Sequence, residues 1–145
     1  MDLAHWIERQ AAFAPGRCAI RGADHEISYA ALAMRTDAVA TALVAAGIGP
    51  GDRVAFLGLN NPEMLAMLFA CARIGAMIVP LNWRLAPPEH RDMLADCEPK
   101  ALVVEPAFAA GIDGLRRGLA SMRCLALGDV AGWERYESLL QSAQG

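Results

Sequence analysis

Asn82, Trp83 and Arg84 stand side by side just past an apolar run, and they are the group in this sequence with binding character. An arginine fork suits phosphate oxygens, and an indole can stack on a flat ring. Just past a strand's carboxyl end, such a pair sits where α/β sheets receive ligands. The plainer alternative puts Trp83 over a helix end and Arg84 on a carboxylate. The isolation of these residues favours that alternative.

The other chemistry-bearing residues assemble nothing. Gly47, Gly49 and Gly51 alternate temptingly, but they follow a helix and precede a strand, whereas a phosphate cradle follows a strand and opens a helix. The loop after residue 57 offers only Gly58, and Pro62 removes an amide that an anion would need. A Walker-type loop needs Gly-Lys-Ser/Thr, and the one lysine, Lys100, is followed by Ala101. Ser28 reads as a helix cap, and neither it nor Ser121 lies in a G-x-S-x-G elbow. His25 and His90 are isolated, which reads as solvated surface histidine rather than general base. Asp92, Asp96 and Glu98 read as an ordinary solvated face. Cys18, Cys71, Cys97 and Cys124 are spread singly, with neither metal-ligand nor C-x-x-C spacing. The reading is of no catalytic group and no metal site.

Composition narrows the classes further. The chain has 145 residues, enough to bury a real core, and a net charge of −3. That charge gives no basic field for a nucleic-acid backbone. The hydrophobic fraction of 55% exceeds the ~45–50% usual for soluble domains. Such an excess fits a sheet covered on both faces, or a surface that expects a partner. Asp2 and Glu8 occupy the place of a cationic n-region, so no secretory signal is read. The apolar window 64–81 carries Arg73 at its middle, which opposes a membrane span. A soluble, cytoplasmic protein is expected.

The elements that must position these residues follow from periodicity and punctuation. Residues 1–14 have Leu3, Trp6, Ile7 and Phe13 at helical spacing, predicting an entry helix that packs Trp6 and Phe13. Cys18–Arg21 and Glu26–Ser28 predict a small hairpin about Gly22-Ala23-Asp24. Ser28 caps a helix over 29–46, with Leu32, Thr36, Val39 and Leu43 on one face and Gly47 as its stop. Residues 53–85 are the organising stretch. A strand at 54–57 is continuously apolar, as a doubly covered strand is. Asn61-Pro62-Glu63 opens a helix over Pro62–Ile74 that is apolar nearly all round and predicted to be buried. A strand at 76–79 completes a βαβ unit. A helix at 87–96, a strand at Ala101–Val104, a helical segment from Pro106 and a strand at 123–127 follow. Residues 133–140 close the chain as a helix or turn with Trp133, Tyr136 and Leu140 on one side, and SAQG forms a frayed tail. No linker or repeat divides the chain. The fold class is α/β, a mostly parallel sheet with helices on both faces, in a single domain over residues 1–145.

ISYAALAMR at 27–35, GIGPGDRVAFLGLNNPE at 47–63 and ARIGAMIVPLN at 72–82 resemble the N-terminal part of the adenylate-forming (AMP-binding) enzymes. The resemblance runs through nearly the whole chain, including the closing W-x-x-Y-x-x-L-L. VPLN followed by an arginine resembles the acyl-CoA synthetase branch. It implies the N-terminal subdomain of a ligase that joins a carboxylate to ATP, giving an acyl-adenylate, and then to CoA. It implies ATP, Mg²⁺ and CoA as cofactors of the complete enzyme, with none bound tightly by this chain. The family's Ser/Thr/Gly loop ending in Pro-Lys-Gly, its later acids and its C-terminal lysine have no counterpart here. A glutamate common in the family three residues after the cap is Ala31, which removes a capping box. By analogy Arg84 borders the CoA channel. The expectation is an N-terminal fragment inactive alone, whose partner is the remainder of the enzyme. The alternative is a stand-alone interaction module that pairs with a partner or with itself.

Overall fold

The computed structural model describes residues 3–22, 25–116, 118 and 121–143. An entry helix α1 (Leu3–Phe13) leads into an antiparallel hairpin of β1 (Cys18–Arg21) and β2 (Glu26–Ser28), and then α2 (Tyr29–Ala45). Strand β3 (Arg53–Leu57), helix α3 (Pro62–Ile74) and strand β4 (Met77–Leu81) form the βαβ unit. Helix α4 (Pro87–Cys97), β5 (Ala101–Val104), α5 (Pro106–Arg116), β6 (Arg123–Ala126), β7 (Glu134–Arg135) and α6 (Tyr136–Ser142) complete the order. The main sheet has five strands in the order β4-β3-β5-β6-β7, every neighbouring pair parallel.

Strand alternation divides the core in two. Val54 and Phe56 of β3, Ala101 and Val103 of β5 and Leu125 of β6 join one cluster with Ile7, Val39, Leu43, Met67 and Leu139. Their sequence neighbours Ala55, Leu57, Leu102, Val104 and Ala126 join the other, with Leu94, Ala109 and Ile112. Helices α1, α2, α3 and α6 thus cover one face and α4 and α5 the other. This is why β3 and β5 read as unbroken apolar runs. Helix α3 has no exposed residue, as its all-round apolarity predicts. Its start uses the cap seen in the sequence: Met64 N donates to Asn61 Oδ1 at 3.1 Å. Its stop is Gly75 at φ 74°, a backbone that glycine adopts without steric cost.

Three expectations are corrected. Phe13 is 84% exposed, because six positions beyond the fully buried Ile7 it falls about 120° round the helix from it. Trp6 packs in part, stacking on Phe69 with ring centroids 5.8 Å apart. Strand β4 spans 77–81 rather than 76–79, running through Pro80. The sheet tolerates a proline there because β4 is an edge strand whose outer side needs no N–H. Trp133 and Tyr136 face opposite clusters instead of sharing a side, because β7 and its pairing with β6 intervene. The last residues of the expected hairpin turn, Ala23 and Asp24, and the tail residues Gln144 and Gly145 lie outside the described residues.

Arginines tie the helical layer together. The guanidinium of Arg73 on α3 pairs with Glu8 of α1 and Asp37 of α2. Arg35 on α2 donates to Glu63 of α3 at 2.8 Å and to both carboxylate oxygens of Glu137 on α6, and lies 5.8 Å from the centroid of the Tyr136 ring. The Tyr136 hydroxyl and Glu63 Oε2 are buried without a well-formed hydrogen bond. Burial, and then the nearby Glu63 charge, push the tyrosine well above its ordinary pKa. Arg35 is thus the cation that Glu63 and Glu137 share.

Two outcomes follow from this packing. Arg35→Met, which keeps the stem and removes the charge, lowers unfolding free energy in urea by about 1–3 kcal/mol, because Glu63 stays part-buried without its cation. A change under about 0.5 kcal/mol, within the surface-mutation range, contradicts the clamp. Burial also pushes the Cys71 thiol up to about 12 from 9.0. Below 9.0 its stabilising share is complete, and it is lost as pH rises towards 12. Iodoacetamide at pH 8 therefore leaves Cys71 unmodified in the native chain and alkylates it in urea, as peptide mass spectrometry reads.

Candidate functional site

In a parallel sheet the loops that can meet a ligand lie at the strands' carboxyl ends, above all where the strand order reverses. Here β3 leads to β4 on one side, and the chain then returns to place β5 on the other. The reversal therefore lies between β3 and β5, at Gly58–Asn61 and Glu105. The structure closes it with a carboxylate. Glu105 accepts from Leu59 N at 3.1 Å and from the Asn61 side-chain amide. Its own backbone N donates to Leu57 O at 2.9 Å. Gly58 permits this approach, since a Cβ there would lie 2.8 Å from the carboxyl carbon of Glu105. The Leu59 amide and the Asn61 side chain, which an anion could use, are thus held by the Glu105 carboxylate, and Pro62 contributes no N–H. This crevice does not fit a nucleotide phosphate.

Sequence reasoning passes over Glu105. The available signal was an acid immediately after an apolar strand, opposite an Asn cap two βα units earlier.

The second loop, Asn82 to Ala86, follows β4 beside the first. Asn82 organises it. Its side-chain oxygen accepts from Arg84 N at 3.1 Å, and its carbonyl accepts from Leu85 N at 3.1 Å. Arg84 is exposed, and its guanidinium carbon lies 4.5 Å from the centroid of the Trp83 ring. It is not on a carboxylate, so that part of the plainer expectation is corrected. Trp83, 40% exposed, leans on Phe108 of α5 with centroids 5.9 Å apart. The cation–π stack presents the Arg84 charge at the rim of the sheet.

His90 is a second correction. It is not a solvated surface residue: it is 5% exposed, and its Nε2 lies 2.9 Å from the Asn82 carbonyl. A carbonyl can only accept, so Nε2 carries the proton. His25, Asp92, Asp96 and Glu98 are exposed and apart from this loop.

The opposite end of the sheet is closed by charges as well. Asp52 accepts from Gly49 N and from Lys100 Nζ, each at 2.8 Å, and Lys100 also reaches Gly47 O at 3.1 Å. The Lys100 and Gly49 hydrogen bonds hold the Asp52 carboxyl below its usual range. Arg53 donates to the Cys97 and Glu98 carbonyls at 2.5 and 3.0 Å, closing the end of α4. The alternating glycines and the lone lysine are therefore structural. Among the described residues, no group of three or more His, Cys, Asp or Glu could hold a metal ion. None of their helices is long and apolar enough to cross a membrane.

A parallel sheet of this order, helix-covered on both faces, is the fold of the N-terminal domain of adenylate-forming ligases. The anthranilate CoA ligase solved with anthranoyl-AMP superposes with a TM-score of 0.90 at 23% identity, over 98% of this chain and 28% of that one. That likeness speaks for the fold alone. A family model of AMP-binding enzymes matches residues 7–144, and the chain belongs to that family. An indoleacetate–CoA ligase of Aromatoleum aromaticum is 51% identical over 142 residues, 97% of this chain and 28% of the relative. A feruloyl-CoA synthase of an Amycolatopsis species is 42% identical over 116 residues, 80% of this chain and 24% of the relative. The chain thus spans about a quarter of the length of these relatives.

The closed crevice makes one outcome specific. Glu105→Ala raises amide hydrogen exchange at Leu59 by about tenfold or more and costs about 1–2 kcal/mol, as loss of a charged acceptor does. Unchanged exchange at Leu59 contradicts the lock.

Proposed function

We propose that this chain is the N-terminal scaffold of an ATP-dependent acyl-CoA ligase and does not complete adenylation alone. The family match over residues 7–144 carries the reading. In the complete enzyme, a carboxylate oxygen attacks the α-phosphorus of ATP and pyrophosphate leaves. The CoA thiol then takes the acyl group and AMP leaves. The residues here do not fit ATP or Mg²⁺: Glu105 fills the strand-order reversal, and the chain has only four serines and two threonines, with no phosphate-loop cluster. Its share is to hold the sheet and to present the Asn82–Arg84 loop, with Arg84 bordering the path of the anionic CoA. The partner is the rest of the ligase. Two relatives named for indoleacetate and feruloyl-CoA favour an aryl-bearing acid as the substrate of the whole.

The open edge of β4 supports a second reading, an interaction module that pairs with a second copy, because Met77 there is 49% exposed. Light scattering after size exclusion separates the two: a concentration-independent dimer favours the module.

The purified chain, given ATP, Mg²⁺ and indoleacetate, is expected to show ATP–pyrophosphate exchange no higher than a protein-free blank. Exchange that depends on the carboxylate overturns the claim that the chemistry resides elsewhere.

A further inference from the structure

The Asn82–Ala86 loop is tied to α4 at its far end, where Ala86 N donates to Glu89 Oε2 at 2.8 Å, while its Asn82–Leu85 part borders open space. A cavity of about 150 Å³ lies against it, lined by Leu57, Trp83, Leu85, Pro87, His90 and Phe108. Its internal hydrogen bonds, from Arg84 N and Leu85 N to Asn82, fix the loop's shape but not its height over the sheet. Trp83 touches Phe108 only at a tilt of 42°. On the side of that open cavity the loop lacks packing partners, so bonds to groups outside the loop decide how it sits there.

His90 is placed to do that. It belongs to α4, where its neighbours Pro87, Pro88, Glu89, Arg91 and Asp92 are all exposed, yet His90 itself is turned inward and is 5% exposed. Its Nε2–H donates to the Asn82 carbonyl at 2.9 Å, the same oxygen that closes the turn onto Leu85. One short bond thus joins the rigid helix to the residue from which Trp83 and Arg84 hang. We infer that His90 is a positioning residue: through Asn82 it fixes the height and direction of the Trp83–Arg84 stack over the void. This rests on the reading that Arg84 borders the CoA path. A buried histidine that merely satisfies a carbonyl would stabilise the chain without tuning any ligand.

The test has two arms. In this chain, each tryptophan indole N–H gives an NMR resonance, and the Trp83 signal is identified by its loss in Trp83→Phe. His90→Ala is expected to shift the Trp83 resonance and leave those of Trp6 and Trp133 in place. His90→Gln, whose amide nitrogen can reach as Nε2 does, restores it. An unmoved Trp83 resonance in a folded His90→Ala chain overturns the inference. For the second arm, the chain replaces the matching region of the indoleacetate–CoA ligase. In that chimera His90→Ala raises the KM for CoA about fivefold, the scale of one lost hydrogen bond, and His90→Gln recovers most of it. The KM values for ATP and indoleacetate stay within about twofold, an ordinary experimental spread on this scale. An active chimera with unchanged KM for CoA overturns the role towards the ligand. A wild-type chimera that makes no CoA ester counts against the proposed function instead, and the Trp83 arm still decides whether His90 holds the loop.

Discussion

Two strands buried on both faces set the terms for everything else in this chain. The Val54–Leu57 run of β3 and all of β5 are at most 2% exposed, and their residues alternate between two apolar clusters. Burial of that kind is worth ~25 cal/mol per Å² of apolar surface, and it requires helices above and below the sheet. Polar groups are then expelled to the strand ends and the helix surfaces. The chain's chemistry has nowhere else to be.

At those margins the protein neutralises itself. Glu105 occupies the amides at the strand-order reversal, Asp52 and Lys100 close the glycine turn at the other end, and Arg53 closes α4. Arg35 and Arg73 bind the covering helices to one another. Each of these ions is used up by a partner inside the chain. Arg84 is different: it rests on an aromatic face at the rim, with its charge towards solvent. Among the described residues, these strand-end and interhelix charges are paired inside the chain, whereas Arg84 stacks on Trp83 at the rim of the sheet.

Much of this was legible in the residues. Asn61-Pro62 and Gly75 bracket α3 because a cap, a proline at the first position and a left-handed stop are local devices. Unbroken apolar runs announce doubly covered strands for the same reason. The motifs at 27–35, 47–63 and 72–82 pointed to the family that the comparison shows. What was not legible depends on tertiary placement. Phe13 looks like a core residue but falls off the face of α1 that buries Ile7. Pro80 looks like the end of a strand until β4 is known to be an edge. His90, alone on a polar helix, gives no hint that the carbonyl of Asn82 lies above it. Glu105 and Asn61 are 44 positions apart and meet only because β3 and β5 are neighbours.

If this chain, as proposed, supplies architecture to a ligase whose reacting groups come from other sequence, the two should work when supplied as separate pieces. The most direct measurement combines the purified chain with an indoleacetate–CoA ligase from which the matching N-terminal region has been deleted, and follows indoleacetyl-CoA. The account predicts that neither half makes the thioester and that the mixture does. It is contradicted if the deleted ligase works without the chain, if the chain forms acyl-adenylate alone, or if two folded halves that bind each other stay inactive.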